Sequence, residues 1–521
     1  MGKLSAVNST DILDAIRLGC QAMSNVFNAD DNNVPFFGVE VLPQARMYFY
    51  PQYSEAHVPG RHLNALLNAR NAANVNVDEQ AIENHAKAVF YSYGGPLPLP
   101  LNRNKIDGPL VNFDPHNLRE GFHALYALAH YCNDERALTL ADESVKVIGQ
   151  LWSPETGWDY DYLEKKQGLK VMKNGTFITG IARSIGPLVK IYRTSGMESA
   201  LALATALKEK AVNEIFKEDG NYDCHIFGTH THSTTCVLSS LAQLAELTSD
   251  SQLMERVRAF YDHGLWSIRD ALGWVIEMSN DEVNPDKGEI NNTGDIVETA
   301  LILGREGHPQ YYEDAECILR GHLLPSQLRD TSFIKEPVNP ENEDGKREIA
   351  RRLRGAFGFP APYGHQPIDL DLVKFNLDIV GGGVASLCEA YREIVRSDEE
   401  GHRINMLFDF EDNHVAIQSP YTHDHLRIKT KRPGPIFVRI PSWLDHDSVT
   451  VDGNDISPQI KNGYLEINQP RLNDWIKIKF NLPQRELILE HACRNIHVRL
   501  HGDAVVAMEN FGADHTFFDP Y

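Results

Sequence analysis

Residues 117–151, NLREGFHALYALAHYCNDERALTLADESVKVIGQL, read as two helices joined by a turn. The first half is apolar on more than one side and the second is amphipathic. The polar link CNDER is short enough to make them an antiparallel hairpin. The same pairing recurs on both sides: residues 61–73 with 78–93, 177–195 with 198–216, 232–247 with 251–268, and 295–305 with 310–324. An opening helix at 10–28 and a late one at 379–395 supply a sixth pair that closes the set. Short turns such as TSGME and LTSDS lie on one side, and long polar or aromatic loops on the other. This alternation predicts an (α/α)6 toroid, with apolar inner helices, amphipathic outer ones and long loops gathered at one mouth. A helical solenoid is the alternative, but no fixed repeat period supports it.

Three stretches depart from the helical pattern. Residues 29–61 carry Pro35, Pro43, Pro51 and Pro59 among aromatics, a strap that either lines a pocket or covers the core. Residues 326–370 pair a charged excursion, EPVNPENEDGKREIARRLRG, with AFGFPAPYGHQPIDLDL, whose Phe357, Phe359, Tyr363 and His365 suit a wall beside a site. After residue 396, segments such as HVAIQSPY, HLRIKTK, IFVRIP, SVTVDG and WIKIKFNL alternate apolar and polar residues between turns, as strands of an antiparallel β-sandwich do. The fold class is mostly α plus β: a helical toroid over residues 1–396, expected to be catalytic, and a sandwich over 397–521.

Composition narrows the function. A net charge of −22 opposes the attraction to phosphate on which nucleic-acid binding depends, and a nucleic-acid partner is not expected. The seven cysteines are scattered and never form CxxC, which disfavours zinc ribbons, redox motifs and a disulfide framework. MGKLSAVNST has no apolar core of signal-peptide length, and no run is long enough for a membrane span. The chain therefore reads as cytoplasmic with no membrane partner, although removal of a leader leaves the same evidence. Nucleotide-binding and serine-hydrolase motifs are missing, so no cofactor is expected. Assembly into a homo-oligomer stays open.

Chemistry concentrates at loops that precede helices. In ALGWVIEMSNDEVNPDKGEINNTGDIVETALIL (residues 271–303), Glu277 and Glu289 flank a turn-rich loop, with Asp295 and Glu298 on the helix that follows. Two carboxylates there suit general acid/base work. An ordinary solvated loop also contains such residues. SEAHVPGRHL presents His57 and Arg61 at a helix start, FDPHNLREGF presents Asp114, His116, Arg119 and Glu120, and HTHSTT presents His230 and His232. Imidazole and guanidinium donors at helix N-termini suit sugar hydroxyls or a sugar carboxylate. Arg119 and Glu120 equally suit a structural pair. His230 and His232 lack further ligands of compatible type in the sequence, so no metal is expected.

With these features the chain resembles the six-hairpin glycosidases, and among them the β-L-arabinofuranosidase family. EINNTGDIVETALIL (289–303), the helix after Gly381, SPYTHDHLRIK (419–429), PGPIFVRIPSW (433–443) and RLHGDAVVAMENFG (499–512) carry the resemblance. It implies a cysteine nucleophile on a zinc held by three cysteines and a glutamate. The glutamate matches Glu289, but Asn291 stands where the first cysteine is expected and Gly381–Gly383 where the pair is. The acid/base glutamate of the family matches Glu277.

The sequence thus predicts a glycoside hydrolase of an oligosaccharide, an exo-acting uronidase in its finest form, with Glu277 and Glu289 catalytic. His57, Arg61, Asp114, His116, Arg119, His230, His232, Asp295, Tyr363 and His365 are the expected substrate-binding residues. A polysaccharide lyase and a carbohydrate-binding protein without catalysis are the rivals.

Overall fold

The computed structural model describes residues 2–173, 175–368, 370–452, 459–491 and 493–521. Gly453, the end of the expected strand SVTVDG, lies outside them. Among the described residues the long helices are α1 (Ile12–Met23), α2 (Val58–Ala73), α3 (Glu79–Ser92), α4 (Leu118–Cys132), α5 (Glu135–Leu151), α6 (Ile185–Ser195), α7 (Glu198–Glu214), α8 (Thr231–Thr248), α9 (Ser251–Asp262), α10 (Ile290–Arg305), α11 (Gln310–Ile318) and α12 (Leu377–Glu393).

The short turns have a shared chemistry. Helices α2, α4, α6 and α8 end on Asn74, Asn133, Gly196 and Ser249 in the left-handed conformation, which stops a helix while satisfying its last carbonyls. An aspartate then starts the partner in three of these pairs: Asp78 accepts from Gln80 N, Asp134 from Arg136 N and Asp250 from Leu253 N.

Packing follows the pairs. Helix α2 contacts α4, α4 contacts α6, α6 contacts α8, α8 contacts α10, α10 contacts α12, and α12 contacts α2, so the series closes on itself. Each of these helices also contacts one neighbour in sequence: α3, α5, α7, α9, α11 and, for α12, α1. The closing helices approach to backbone distance. A Cβ on Gly60 of α2 would stand 1.9 Å from the Glu120 carbonyl of α4, and one on Gly381 of α12 would stand 2.8 Å from the Arg61 carbonyl carbon.

Two helical expectations shift for local reasons. The helix read from residue 177 begins at Ile185, after a 3-10 turn at Ile181–Ser184. Pro187 has no N–H for the Arg183 carbonyl, which restricts it to the first α-helical turn. The helix read from Asp295 begins five residues earlier, at Ile290.

From Val395 onward the chain is strand-rich. Val395–Asp398, Gly401–Ile404, Ile436–Arg439, Tyr464–Ile467 and Gln459–Lys461 form one five-stranded sheet in that order. Phe410–Glu411, Val415–Gln418, Leu426–Thr430, Trp475–Lys479 and Thr450–Asp452 form another, and Gln484–Glu490, Asn495–His501 and Ala504–Met508 form a three-stranded sheet. Pairing is antiparallel except between Gly401–Ile404 and Ile436–Arg439, which run parallel. Leu426–Thr430 alternates buried and half-buried residues, as its sequence predicts. INMLFDF is not one strand: Ile404 ends a strand, and Met406, Leu407 and Phe408 are buried outside any ladder. No helix among the described residues is long and apolar enough to cross a membrane.

Candidate active site

The N-terminal ends of α2, α4, α6, α8, α10 and α12 face one cleft of about 550 Å³. His57, Asp114 with His116, Thr179, His230 with His232, Glu289, and Asn376 with Asp378 enter it from these six ends in turn. The residues that begin these helices, His57, Asn117, Ser184, His230, Glu289 and Asn376, make no capping bond with their side chains. An N-cap contributes about 1 kcal/mol. At His57, His230, Glu289 and Asn376 that stabilisation is forgone by residues that line the cleft, and these ends present positive dipole to negative charge there, whereas Asp114 caps the 3-10 turn that leads into α4.

Glu277 and Glu289 are brought together by a short ladder. Glu277 N donates to Lys287 O at 2.9 Å, Glu289 N donates to Val275 O at 3.3 Å, and Ile276 bridges Gly288. In this antiparallel register Glu277 and Glu289 are diagonal neighbours on one face. The other edge of residues 275–279 holds residues 229–231, through Thr231 N to Glu277 O at 3.1 Å and Ser279 N to Thr229 O at 2.9 Å. One backbone segment therefore fixes both carboxylates and the His230 loop.

Their surroundings differ. Burial pushes the Glu277 carboxyl above the usual range, opposed by its ion pair with Lys287 and assisted by Glu289. Glu289 accepts from Asn291 Nδ2 at 2.7 Å, and its oxygens lie 3.6 Å from His230 Nε2 and 3.5 Å from His232 Nδ1. Burial, then the charges of Arg61, Arg183 and Arg119, keep His232 neutral. Arg61 Nη2 lies 3.2 Å from His232 Nε2, and Asp295 Oδ2 lies 3.4 Å from the same nitrogen.

The opposite wall is a strip of rings: Phe37 and Tyr53 at 4.9 Å, Tyr53 and His57 at 5.2 Å, His57 stacked on His116 at 5.4 Å, and His116 beside His230 at 5.6 Å. His116 Nδ1 donates to the Thr179 carbonyl at 2.7 Å, leaving Nε2 as an acceptor. His57 is gripped by Asn117 Oδ1 at 2.9 Å and Asp378 Oδ2 at 3.3 Å. Burial would raise the Asp378 carboxyl, but the His57 hydrogen bond and the charges of His57 and Arg61 hold it low. Burial raises Asp114. Beneath the cleft, Glu120 binds Arg61 and Arg183 at 3.0 Å each and Arg119 at 3.2 Å. Despite burial, those arginines and His57 keep it ionised.

Neither family models nor curated proteins match the chain. Among solved structures, a GH127 β-arabinofuranosidase matches with a TM-score of 0.61 at 14% identity, over 96% of this chain and 83% of that one. A GH127 β-L-arabinofuranosidase from Geobacillus stearothermophilus T6 matches with a TM-score of 0.55 at 13% identity, over 96% and 80%. A further glycoside hydrolase matches at 0.56 and 14%, over 92% and 84%. In fold, the chain resembles the six-hairpin glycosidases.

The thiolate and zinc set of the arabinofuranosidase-type six-hairpin glycosidases does not fit the residues present. A Cβ on Gly382 would lie 1.9 Å from Asn291 Oδ1 and 3.0 Å from Arg61 Nη1, and Arg61 Nη1 donates to Asn291 Oδ1 at 3.2 Å. A guanidinium and an amide thus fill the space between α2, α10 and α12. Among the described residues of the cleft, His230, His232 and Glu289 form a group of metal-ligating types, each offering an atom within 4.8 Å of the others.

Of the residues expected at the site, His57, Asp114, His116, His230, His232, Glu277 and Glu289 line the cleft. Arg61, Arg119 and Asp295 lie beneath it, where Glu120 pairs with both arginines and Asp295 with Arg119. Tyr363 and His365 are placed elsewhere. Tyr363 donates to Asp286 Oδ2 at 2.9 Å, and His365 is buried against Phe375 and Phe517. Phe359, from the same segment, does reach the cleft, where its ring meets Lys287 Nζ at 4.4 Å. Asp378, Lys287 and Asn376 were not anticipated. The start of α12 at Leu377 was the one available signal for Asp378.

Proposed function

We propose that this chain is a glycoside hydrolase acting on an oligosaccharide. In this reading the closed series of helices is an (α/α)6 toroid within residues 1–396, and the sheets of residues 397–521 form a β-sandwich. Glu277 is the general acid, protonating the glycosidic oxygen, and Glu289 is the base or nucleophile on the other side of the bond. The carrying observation is that both lie on one face of a short ladder in the cleft, with burial raising Glu277 while Asn291 donates to Glu289. The strip of rings from Phe37 to His230 supports a sugar-binding wall.

The finer reading, an exo-acting uronidase, draws support from His230, which lines the cleft. Arg61 and Arg119, expected to hold the sugar carboxylate, are committed to Glu120 and Asp295. One observation favours the lyase instead: the free Nε2 of His116 is a base facing the cleft.

A screen of aryl glycosides and uronic-acid oligosaccharides, read for both reducing ends and ultraviolet absorbance, tests these readings together. Hydrolysis should give reducing ends with no new absorbance, and Glu277→Gln and Glu289→Gln should each lower kcat by about 10²–10⁴-fold with thermal stability nearly unchanged. Near wild-type activity in both variants would refute the assignment. A rise in absorbance establishes the lyase, and binding without turnover establishes a carbohydrate-binding protein.

A further inference from the structure

At the opposite, C-terminal ends of the same six helices lies a second pocket of about 340 Å³. Asn64, Tyr126, Lys190, Gln243, Glu298 and Glu389 enter it, one from each helix. Its size falls within the range that takes small ligands. Most of its charge is internally matched: Arg193 pairs with Glu246 at 2.9 Å, Arg305 with Glu246 at 2.7 Å and Arg392 with Glu389 at 3.0 Å. These arginines also lie in the last turns of their helices, where cations offset the negative end of the dipole.

Lys190 fits neither explanation. It precedes the last turn of α6, has no ion pair among the described residues, and stands with Nζ 5.8 Å from the Tyr126 ring. Two neutral groups beside it are also unmatched. The Asn64 side chain is 7% exposed and has no hydrogen-bonding partner among the described residues. Gln243 gives Nε2 to Ser239 at 3.3 Å but leaves Oε1 buried without a donor. The Gln243 oxygen, buried without a donor, is the group in this ring interior that a ligand hydroxyl would satisfy.

We infer that this pocket is a second ligand site, taking a single polyhydroxylated carboxylate of monosaccharide size. The Lys190 ammonium receives the carboxylate, the Asn64 and Gln243 amides receive hydroxyls as donor and acceptor, and Glu298, held only by Ser239 at 3.1 Å and Ser386 at 3.2 Å, accepts another. The Tyr126 ring, stacked on His130 at 5.3 Å, offers an apolar face to the sugar C–H groups. The site is independent of the chemistry assigned to the cleft.

The test uses the full chain with D-glucuronate as probe and D-glucose as neutral control, by calorimetry and by hydrogen exchange. Glucuronate should bind at least about tenfold more tightly than glucose, and it should slow exchange in residues 186–195 and 239–248 whether or not residues 275–290 also respond. Lys190→Met should weaken glucuronate binding by about tenfold or more, Lys190→Arg should retain it, and Glu289→Gln should have no effect on it. Equal binding of the two sugars, protection confined to residues 275–290, undiminished binding by Lys190→Met, or no binding up to about 10 mM would overturn the inference. The exchange pattern and the glucose comparison need no variant, so they decide the matter even if Lys190→Met fails to fold.

Discussion

Lys287 offers the sharpest perturbation of the proposed acid. Its ammonium pairs with Glu277 Oε2, and the two side chains are 28% and 18% exposed. At about 4 Å and an effective dielectric near 20, opposite unit charges attract by about 4 kcal/mol, roughly three pK units. Partial exposure of both groups screens much of that attraction, leaving a net lowering of the Glu277 pKa by Lys287. Lys287→Met removes a charge that favours the ionised carboxylate, so the Glu277 pKa must rise. A general acid works while protonated. The alkaline limb of the kcat/KM–pH profile should therefore move to higher pH, measured on whichever aryl glycoside the screen identifies. Lys287→Arg keeps the charge and should keep the limb in place. An alkaline limb that stays put in Lys287→Met, or moves to lower pH, would mean that Glu277 is not the acid.

Other outcomes follow from the same geometry. Gly382→Ala should push Asn291 off its 2.7 Å bond to Glu289, because the new Cβ would meet Asn291 Oδ1 at 1.9 Å. A fall in kcat of about 10–100-fold is expected, and unchanged kinetics would show that Asn291 does not position Glu289. Burial, against the charge of Arg119, pushes the Asp295 carboxyl from its ordinary value near 3.8 up to about 7. An acid raised in the folded state stabilises below its unfolded pKa, and that stability is lost as pH rises from about 4 through 7. Asp295→Asn should flatten this loss by at most about 4 kcal/mol in urea titrations, and parallel pH slopes for variant and wild type would rule it out. His230→Ser should restore a cap to α8, gaining about 1 kcal/mol of stability while kcat/KM drops. A variant that gains stability with full activity would separate His230 from the site.

The helical pairs were legible in the sequence because each short turn carries its own stop and start, as in Asn133–Asp134 and Ser249–Asp250. The cleft was legible in part for the converse reason: His57, His230 and Glu289 stand where a helix begins but are poor or unused caps. What escaped depends on distance in sequence. Asp378 belongs to the site because it meets His57, more than 300 residues earlier, and no local pattern records that contact. Lys287 looked like one charge in a polar loop until the ladder set it opposite Glu277. Arg61 reads as a free cation because its partner Glu120 comes from another helix, while the pairing of Arg119 with Glu120 was one of two readings the sequence left open. Tyr363 and His365 share a Gly- and Pro-rich run with Phe359, and composition alone does not say which ring of such a run turns inward to the core.

The closure of α12 onto α2 has a consequence for synthesis on the ribosome. A nascent chain that has emerged only to residue 370 holds five of the six cleft-bearing ends, yet its α2 flank, including Gly60, Arg61 and the His57 ring, has no partner for the surface that α12 covers. Loop closure over so long a span is slow and leaves apolar surface waiting. Completion of the cleft and burial of that flank are then one event, late and all-or-none, and a chain truncated before Leu377 is expected to be a substrate for chaperones rather than a weak enzyme.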